Sequence, residues 1–240
     1  MSKDEIVSKN YILDINKYKK KRENKVISKS QTNINDLLKE LKNINKKIIF
    51  NDKKRDILLS NNKDTNEKVK YEEVLLENIL QYEQPTKYIV NSTDYKDENH
   101  IPVLTAGKTF ILGYTAEKDN IFDAKKENVI IFDDFTTAIK FVDFKFKVKS
   151  SAMKILHCKN PNKYNIKYIY YLMKKIEFNN STHKRYWISE YSKINVKVPN
   201  IDVQNKFIEL MENFEQERKL DNEKEKIINK IILERLDSQL

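Results

Sequence analysis

Apolar side chains recur at three- and four-residue intervals in two stretches near the ends of the chain, residues 34–48 and 203–240. This spacing places them along one side of an α-helix. A polar run at residues 60–66 ends the first pattern. We therefore predict an amphipathic helix from residue 33 and a second long helix with Asp202 as its N-cap. The positions of the second helix expected to contact a partner helix or another chain are Val203, Phe207, Leu210, Phe214, Ile228 and Ile231.

Short apolar runs separated by polar turns fill the region between these helices, which is typical of β-strands. Residues 74–80 favour a short opening helix that Pro85 ends, because the residue before a proline avoids helical angles. Residues 165–176 again have helical spacing. Strands are expected at residues 87–90, 101–104, 110–114, 129–132, 139–141, 144–148, 153–157 and 194–198.

The predicted fold class is α+β, with a mixed α/β domain flanked by long coiled-coil-type helices. Residues 1–68 are expected to form a basic segment with an amphipathic helix, residues 69–199 the mixed domain, and residues 200–240 a long spacer or dimerisation helix. The first thirty residues show no sustained period. We expect a short turn of helix and an irregular basic segment there.

The chain contains only two glycines, Gly107 and Gly113, and both lie between residues 101 and 115. Apolar runs on either side read as strands, which leaves residues 105–109 as the turn between them. We expect this turn to contact a ligand. Two glycines six residues apart do not make a phosphate-binding loop, so nucleotide hydrolysis is not expected.

Positive charge is in excess, at +10 overall, and the pI is near 9.3. Residues 1–70 carry nine more basic than acidic side chains, whereas residues 201–240 carry three more acidic than basic. This balance favours an anionic partner, with nucleic acid ahead of a membrane surface. The alternative is that the lysines only keep the chain soluble.

Other classes of site find little support. Cys158 is the only cysteine, so an internal disulfide and a cysteine-based zinc cluster are excluded. The three histidines, His100, His157 and His183, are far apart in sequence, and no metal site is expected. No apolar run approaches the length of a membrane span, and we expect a cytoplasmic chain with no membrane partner.

Residues 143–149 alternate strictly between apolar and basic side chains, which predicts a strand with one buried and one exposed face. Lysines along one face would recur at about 6.5–7 Å, a spacing that suits a phosphate backbone. A solvated outer face is the alternative. The apolar positions are Phe144, Phe146 and Val148, and the basic ones are Lys145, Lys147 and Lys149.

An enzymatic alternative rests on three residues. Asp133 ends a hydrophobic strand and Asp143 precedes Lys145 by two positions, which loosely imitates the spacing of metal-dependent nucleases. Two carboxylates near a lysine could hold Mg²⁺ and position a water molecule. Such triplets are also common by chance in a chain this rich in aspartate and lysine.

Several motifs occur together in the order of one known family. These are Gln-Pro-Thr-Lys-Tyr-Ile-Val at residues 84–90, Pro-Val-Leu-Thr-Ala-Gly-Lys-Thr-Phe-Ile-Leu-Gly-Tyr at 102–114, Ile-Phe-Asp-Asp-Phe-Thr-Thr at 131–137, Phe-Lys-Val-Lys-Ser-Ser-Ala-Met at 146–153 and His-Lys-Arg-Tyr-Trp at 183–187. Together with the step into a long helix after Pro199, they resemble the target recognition domain of type I restriction-modification specificity subunits. The resemblance covers roughly residues 69–240.

The resemblance implies a non-catalytic subunit that reads double-stranded DNA. In the family, partner subunits methylate adenine N6 with S-adenosylmethionine, and a separate ATP-driven subunit restricts DNA, so no cofactor is expected on this chain. One recognition domain instead of two implies a homodimer and a palindromic split site. Residues expected near DNA are Lys87, Tyr88, Thr105, Lys108, Thr109, Thr136, Thr137, Lys145, Lys147, Lys149, His183, Lys184, Arg185 and Tyr186.

The N-terminus carries a second, shorter resemblance. Residues 5–18 and the helix after them are loosely similar to the C-terminal tail of the family's adenine methyltransferase. This resemblance implies either a truncated remnant of a methyltransferase-specificity fusion or a subunit that carries its own docking helix. No Asn-Pro-Pro-Tyr motif accompanies them. A third interpretation is therefore a helical scaffold that sequesters methyltransferase subunits without binding DNA.

Overall fold

A computed structural model of the chain describes residues 15–60, 69–98, 100–105, 109–179 and 184–237. The chain divides into two compact units. The helical unit comprises Met1–Asp64 and Met211–Leu240, and the sheet unit comprises Thr65–Leu210. The second division lies within the C-terminal helix, so the first ten residues of that helix belong to the sheet unit.

Four helices and ten strands lie within the described residues, together with two 3₁₀ helices. This confirms the α+β fold class. The elements in chain order are α1 (Ile15–Ser60), β1 (Tyr71–Leu75), α2 (Leu76–Ile79), β2 (Leu80–Glu83), a 3₁₀ helix (Pro85–Tyr88), β3 (Ile101–Leu104), β4 (Ile111–Thr115), β5 (Phe122–Asp123), β6 (Val129–Asp133), β7 (Ile139–Val142), β8 (Lys145–Val148), β9 (Met153–Cys158), α3 (Ile166–Met173), a second 3₁₀ helix (Tyr191–Lys193), β10 (Asn195–Pro199) and α4 (Ile201–Asp237).

The sheet unit is built from two four-stranded sheets, ordered β2-β9-β6-β7 and β4-β3-β8-β5, and a separate β1-β10 pair. Strand β6 is buried along its whole length. Its side chains alternate between two cores, since Ile130 and Phe132 join one and Val129 and Ile131 join the other. A strand that is apolar on both faces must lie between two packed layers.

Each core has a distinct composition. The first packs α3, through Ile169 and Met173, with Trp187 and Tyr191 against one face of the β6 sheet. Burial raises the pKa of Tyr191 to about 12, as expected for a phenol in this apolar site. The second packs the opposite face against the other sheet, where the rings of Phe122 and Phe146 stack with centroids 5.0 Å apart.

Two predicted elements of the sheet unit are wrong. Residues 87–90 do not form a strand, because Pro85 starts a 3₁₀ helix instead and only Ile89 forms an isolated bridge, to Val148. Residues 74–80 are not one helix. They divide between β1, the single turn α2 and β2, because β1 pairs with β10 along five residues and β2 pairs with β9.

In the helical unit, α1 packs against α4 in antiparallel fashion. Ile44, Leu220 and Ile227 form its buried centre, with Ile231 packed beside them. Near Asn51 the seam becomes polar, because that side chain donates to the carbonyl oxygen of Asn213 at 3.0 Å. The Asn213 amide in turn donates to the backbone and side-chain oxygens of Asn51, at 3.2 and 3.0 Å.

The N-terminal segment differs from the prediction. Helix α1 begins at Ile15, so residues 15–32 are not irregular. Lysine and arginine favour helix formation, and neither proline nor glycine interrupts the segment. Residues 5–14 of the methyltransferase-like stretch lie outside the described residues.

The start of α4 also differs, because Asn200 rather than Asp202 supplies the cap. Its side-chain oxygen accepts from the Val203 amide at 3.0 Å. The neighbouring Phe207 contacts Tyr168 of α3 edge to face, with ring centroids 5.4 Å apart. Phe207 therefore packs within the sheet unit and is not part of a free partner face.

Gly113 in β4 is required by a close approach. A Cβ atom there would lie 2.7 Å from Cγ and 2.9 Å from Cβ of Tyr95. Real Cβ atoms do not approach other carbon atoms so closely. Tyr95 cannot move away easily, because the backbone amide of the next residue, Lys96, donates a hydrogen bond to the Tyr114 carbonyl at 2.7 Å. This contact gives a physical reason for one of the two glycines.

We expect Gly113→Ala to lower the free energy of unfolding by about 1–3 kcal/mol, the usual cost of overpacking. The same substitution in a Tyr95→Ala background should cost much less, because the clashing ring is gone. Chemical denaturation of the four proteins measures this coupling. Equal costs in both backgrounds would contradict the steric explanation.

We also expect Asn51→Leu to destabilise the helical unit by about 1–3 kcal/mol, because it removes the side-chain acceptor of the buried Asn213 amide and the donor to the Asn213 carbonyl oxygen. Replacing both asparagines by leucine should restore the melting temperature or raise it, but the two helices would then be less strictly held in one register. Thermal unfolding followed by circular dichroism checks this. A double variant less stable than the single one would refute it.

Candidate nucleic-acid interface

Four turns of the sheet unit meet at one end of its two large sheets. We call the described residues 105, 109–110, 133–138, 149–152 and 184–187 the turn surface. Strands β3 and β8 are parallel, so their ends at Leu104 and Val148 lie side by side. Strand β6 ends opposite the start of β9, where Asp133 pairs with Met153. The 149–152 turn, which joins β8 to β9, therefore connects the ends of both sheets.

A chain of backbone hydrogen bonds holds these turns together. The Lys149 amide donates to the Leu104 carbonyl at 2.8 Å, which joins the first and third turns. The Asp134 amide donates to the Ala152 carbonyl at 3.2 Å, which joins the second and third. The Tyr186 amide donates to the Asp134 carbonyl at 2.9 Å and adds the fourth. The turns are thus one connected surface.

The 133–138 turn is closed by the side chain of Asp133. One carboxylate oxygen accepts from the Phe135 amide at 2.9 Å, and the other accepts from the Thr136 hydroxyl at 2.6 Å. Thr137 adopts a positive φ of 59°. A β-branched residue in this region is strained, and such strain is found where surrounding structure fixes a functional turn.

Exposed charge on the turn surface is mainly positive. Lys184 and Arg185 are exposed, and Lys149 is half-buried. Asp133 and Asp134 are both buried. Beside the described part of these turns, the exposed acid is Glu190, which pairs with Lys184. The hydrogen bond to Glu190 raises the pKa of Lys184.

The predicted threonines lie on this surface. Thr109 and Thr136 are exposed, while Thr105 and Thr137 are half-buried. The Thr105 amide donates to the Phe110 carbonyl at 3.0 Å, so the antiparallel strands β3 and β4 are bonded to each other on either side of residues 106–108, which lie outside the described residues. Lys108 and His183 lie outside the described residues.

The predicted row of exposed lysines is wrong at its centre. Lys147 is only 1% exposed, and its ammonium pairs with Glu117 at 2.7 Å and donates to the Asp119 carbonyl at 2.9 Å. This interaction with Lys147 lowers the pKa of Glu117. Lys145 lies at the opposite end of β8 from Lys149 and faces Asp123 at 3.5 Å. Only Lys149 belongs to the turn surface.

Two other predicted contact residues serve the interior, and a third, the exposed Lys87, is paired with a carboxylate. Tyr186 is 1% exposed and packs edge to face on Phe178, and Tyr88 is buried in the second core. Lys87 pairs with Glu83 at 2.7 Å, and this hydrogen bond raises its pKa. An aromatic ring beside a lysine in sequence does not reveal which of the two is buried.

The nuclease arrangement does not form. Strands β6 and β7 are antiparallel, so Asp133 ends β6 while Asp143 lies beside the start of β6, about 16 Å away along the strand. Lys145 pairs with Asp123, and Asp133 closes its own turn. Within the described ranges no three His, Cys, Asp or Glu side chains are placed to hold a metal ion.

Basic and aromatic side chains from different elements also meet beside the turns. Lys140 of β7 lies over the Phe110 ring at 5.9 Å, and Lys167 lies over Phe141 at 5.5 Å. Farther along α3, Lys174 lies 5.7 Å from the Tyr170 ring. The packing of α3 against β7 brings these residues together, and no local sequence pattern indicates that packing.

Comparison with known proteins confirms the resemblance found in the sequence. The chain is 48% identical over 155 residues to the "Type I restriction enzyme EcoR124I/EcoR124II specificity subunit" of Escherichia coli. The match covers 61% of this chain and 38% of that protein, so the chain spans well under half of its relative. No protein-family model matches.

A solved structure shares the fold. The crystal structure of the type I restriction-modification S subunit from M. genitalium matches with a TM-score of 0.50 and 14% identity, over 88% of this chain and 57% of that one. This similarity supports the α+β architecture. Among the described helices none is both long enough and apolar enough to cross a membrane.

Lys147 and Lys149 provide a matched test of a buried, ion-paired lysine against a half-buried lysine of the turn surface. We expect Lys147→Met to lower the free energy of unfolding by on the order of 3 kcal/mol, because it leaves the Glu117 carboxylate without its ion-pair partner. Lys149→Ala should change stability by less than about 0.5 kcal/mol. Denaturant titration of both variants checks this. Similar stability losses would contradict the assigned roles.

The same pair predicts a pH dependence. A carboxylate with a depressed folded-state pKa stabilises the protein above its unfolded pKa, and that contribution is lost as pH falls through the folded value. Wild-type stability should therefore fall more steeply below about pH 4.5 than that of Lys147→Met, in which Glu117 loses its partner. Parallel acid-denaturation profiles would contradict this.

Proposed function

We propose that this chain is a non-catalytic DNA recognition subunit of a type I-like restriction-modification system. It binds double-stranded DNA through the turn surface and directs a partner adenine-N6 methyltransferase, with a restriction subunit, to a split target site. The identity with a type I specificity subunit carries the proposal. The charge and chemistry of the turn surface give it a physical basis.

The turn surface combines groups of the kinds that position DNA and groups that read it. Lys149 supplies a compact positive charge suited to a phosphate, which fixes register without reading sequence. Arg185 presents a guanidinium fork, which matches the O6 and N7 acceptors of guanine in the major groove. The hydroxyl groups of Thr109 and Thr136 can donate to or accept from several bases.

In this proposal the methyl donor and the nucleotide belong to the partners. S-adenosylmethionine is bound by the methyltransferase subunit and ATP by the restriction subunit. The scarcity of glycine supports this division of labour, because loops that cradle phosphates need several glycines in close sequence.

The proposal includes a homodimer. The helical unit exposes large apolar side chains on both of its helices, among them Phe50 at 72% and Ile49 at 56% on α1 and Leu233 at 60% and Leu236 at 54% on α4. Large apolar side chains left in water favour burial against a second chain. A two-fold axis would present two turn surfaces to DNA, so the target would be palindromic with a central spacer.

The homodimer predicts a solution mass of twice 28.7 kDa. Phe50→Glu should shift sedimentation toward the monomer, because it places a charge on the apolar face. Asn43→Glu on the same helix introduces the same charge at an exposed polar position and should leave the dimer intact. A wild-type chain that stays monomeric at tens of micromolar would refute the dimer.

The recognition function is tested by mapping N6-methyladenine in DNA from cells that co-express this chain with a type I methyltransferase subunit. We expect one split motif, methylated only when this chain is present. Methyltransferase binding without any motif would favour the helical scaffold instead. Methylation that is unchanged when the chain is deleted would contradict the proposal.

Individual residues should affect DNA binding differently. Arg185→Ala should cost about 1–3 kcal/mol on the target duplex and relax preference at one base position. Lys149→Ala should weaken binding to all duplexes alike and reduce the salt dependence by about one phosphate contact. The control is Lys126→Ala, because Lys126 is exposed and lies after β5, at the end of the sheet opposite the turn surface. Fluorescence anisotropy at several salt concentrations distinguishes them.

A further inference from the structure

A buried ion pair lies directly beneath the turn surface. Asp134 is 2% exposed and Lys154 is 1% exposed, and the Lys154 ammonium lies 3.2 Å from the Asp134 carboxylate. The ammonium also lies over the Tyr82 ring, 4.7 Å from its centroid. Removing two charges from water is costly, and such a pair often adds little to stability compared with apolar residues. The clearest effect of this pair is therefore positional.

Asp134 binds two consecutive amides that follow Arg185. Its carboxylate oxygen Oδ1 accepts from the Trp187 amide at 2.8 Å, and its backbone carbonyl accepts from the Tyr186 amide at 2.9 Å. The other carboxylate oxygen, Oδ2, faces Lys154. The ion pair thus leaves one oxygen of the carboxylate directed at the segment that carries Arg185.

The same residue is tied to the other turns. The Asp134 amide donates to Ala152 in the 149–152 turn, and its neighbour Asp133 closes the 133–138 turn. Asp134 is therefore the point at which three of the four turns are joined. The Arg185 side chain itself is exposed and, among the residues that the structure describes, has no assigned ion-pair partner, so its position depends on the backbone beneath it.

We propose that Asp134, held by Lys154, is a positioning residue for DNA sequence recognition: it fixes the 184–187 segment so that the Arg185 guanidinium meets a base edge in one orientation. This inference rests on the proposed function. A bidentate contact tolerates displacements of only about 0.5 Å and 10–20°, so a segment released from Asp134 would keep its charge near DNA but lose its reading of the base.

The test uses two double variants that differ in a single group. Asp134→Asn with Lys154→Met removes both charges but keeps an oxygen that can accept from the Trp187 amide. Asp134→Ala with Lys154→Met removes the charges and the acceptor. Neither leaves a buried charge unpaired, so both are expected to fold, and thermal unfolding checks this.

The first readout is base preference. The full-length wild type, both double variants and Arg185→Ala are each used to select from a library of duplexes with randomised sequence. We expect the alanine double variant to lose preference at the same base positions as Arg185→Ala, by at least tenfold in enrichment. The asparagine double variant should stay within about threefold of wild type. Both should bind a non-selected duplex with wild-type affinity.

The second readout needs no DNA. Trypsin should cleave after Arg185 at least tenfold faster in the alanine double variant than in the asparagine one, with equal rates at the exposed Lys125 and Lys126. Hydrogen exchange of the wild type supplies a check without substitution. We expect the Tyr186 and Trp187 amides to exchange as slowly as those of β6.

Three results would overturn the inference: unchanged base preference in the alanine double variant, loss at positions that Arg185→Ala does not affect, or equal trypsin cleavage in the two double variants. Fast exchange of the Trp187 amide would do the same. If the wild type enriches no sequence at all, the proposed function itself fails, whereas the cleavage comparison still reports whether Asp134 holds the segment.

Discussion

Burial of β6 on both faces is the constraint on which the sheet unit depends. Val129 and Ile131 join one core and Ile130 and Phe132 join the other, so the strand can lie only between two packed layers. Its end is then fixed, and the chain leaves the apolar interior at Asp133 and Asp134. These two carboxylates are buried at the point where the turns meet, and both are satisfied by hydrogen bonds or an ion pair. Packing of an apolar strand thereby sets the geometry of a polar surface.

Net positive charge alone does not identify a DNA surface in this chain. Lys87, Lys145 and Lys147 each lie close to a carboxylate. Lys149 and Arg185 lie where the nearby aspartates are buried, so their charge is directed to solvent. Phosphate contact requires lysines whose charge is not already neutralised, and the topology decides which ones those are.

Much of the fold could be predicted from local pattern. The strands at residues 101–104 and 129–132 and the helix near residues 165–176 were predicted because apolar periodicity there agrees with the final packing. The strand at 87–90 was not, because Pro85 imposes a 3₁₀ turn. Strand β1 was missed because its partner β10 lies more than a hundred residues away, and pairing at that distance leaves no local signal.

Prediction of the site was less complete for a related reason. Alternation correctly indicated the strand of Lys145, Lys147 and Lys149, but burial of Lys147 depends on Glu117 in a different part of the sheet unit. The motif at residues 131–137 pointed to the correct turn. The separate roles of Asp133 as a turn closure and Asp134 as an anchor depend on three-dimensional contacts with Thr136 and Trp187.

DNA recognition by the turn surface is tested most directly by photo-crosslinking of the chain to a duplex that carries its target site, followed by mass spectrometry of the linked peptides. We expect links within residues 105–110, 133–138, 149–152 and 184–187. Links concentrated at Lys118, Lys125, Lys126 and Lys145, at the other end of the same sheets, would contradict it.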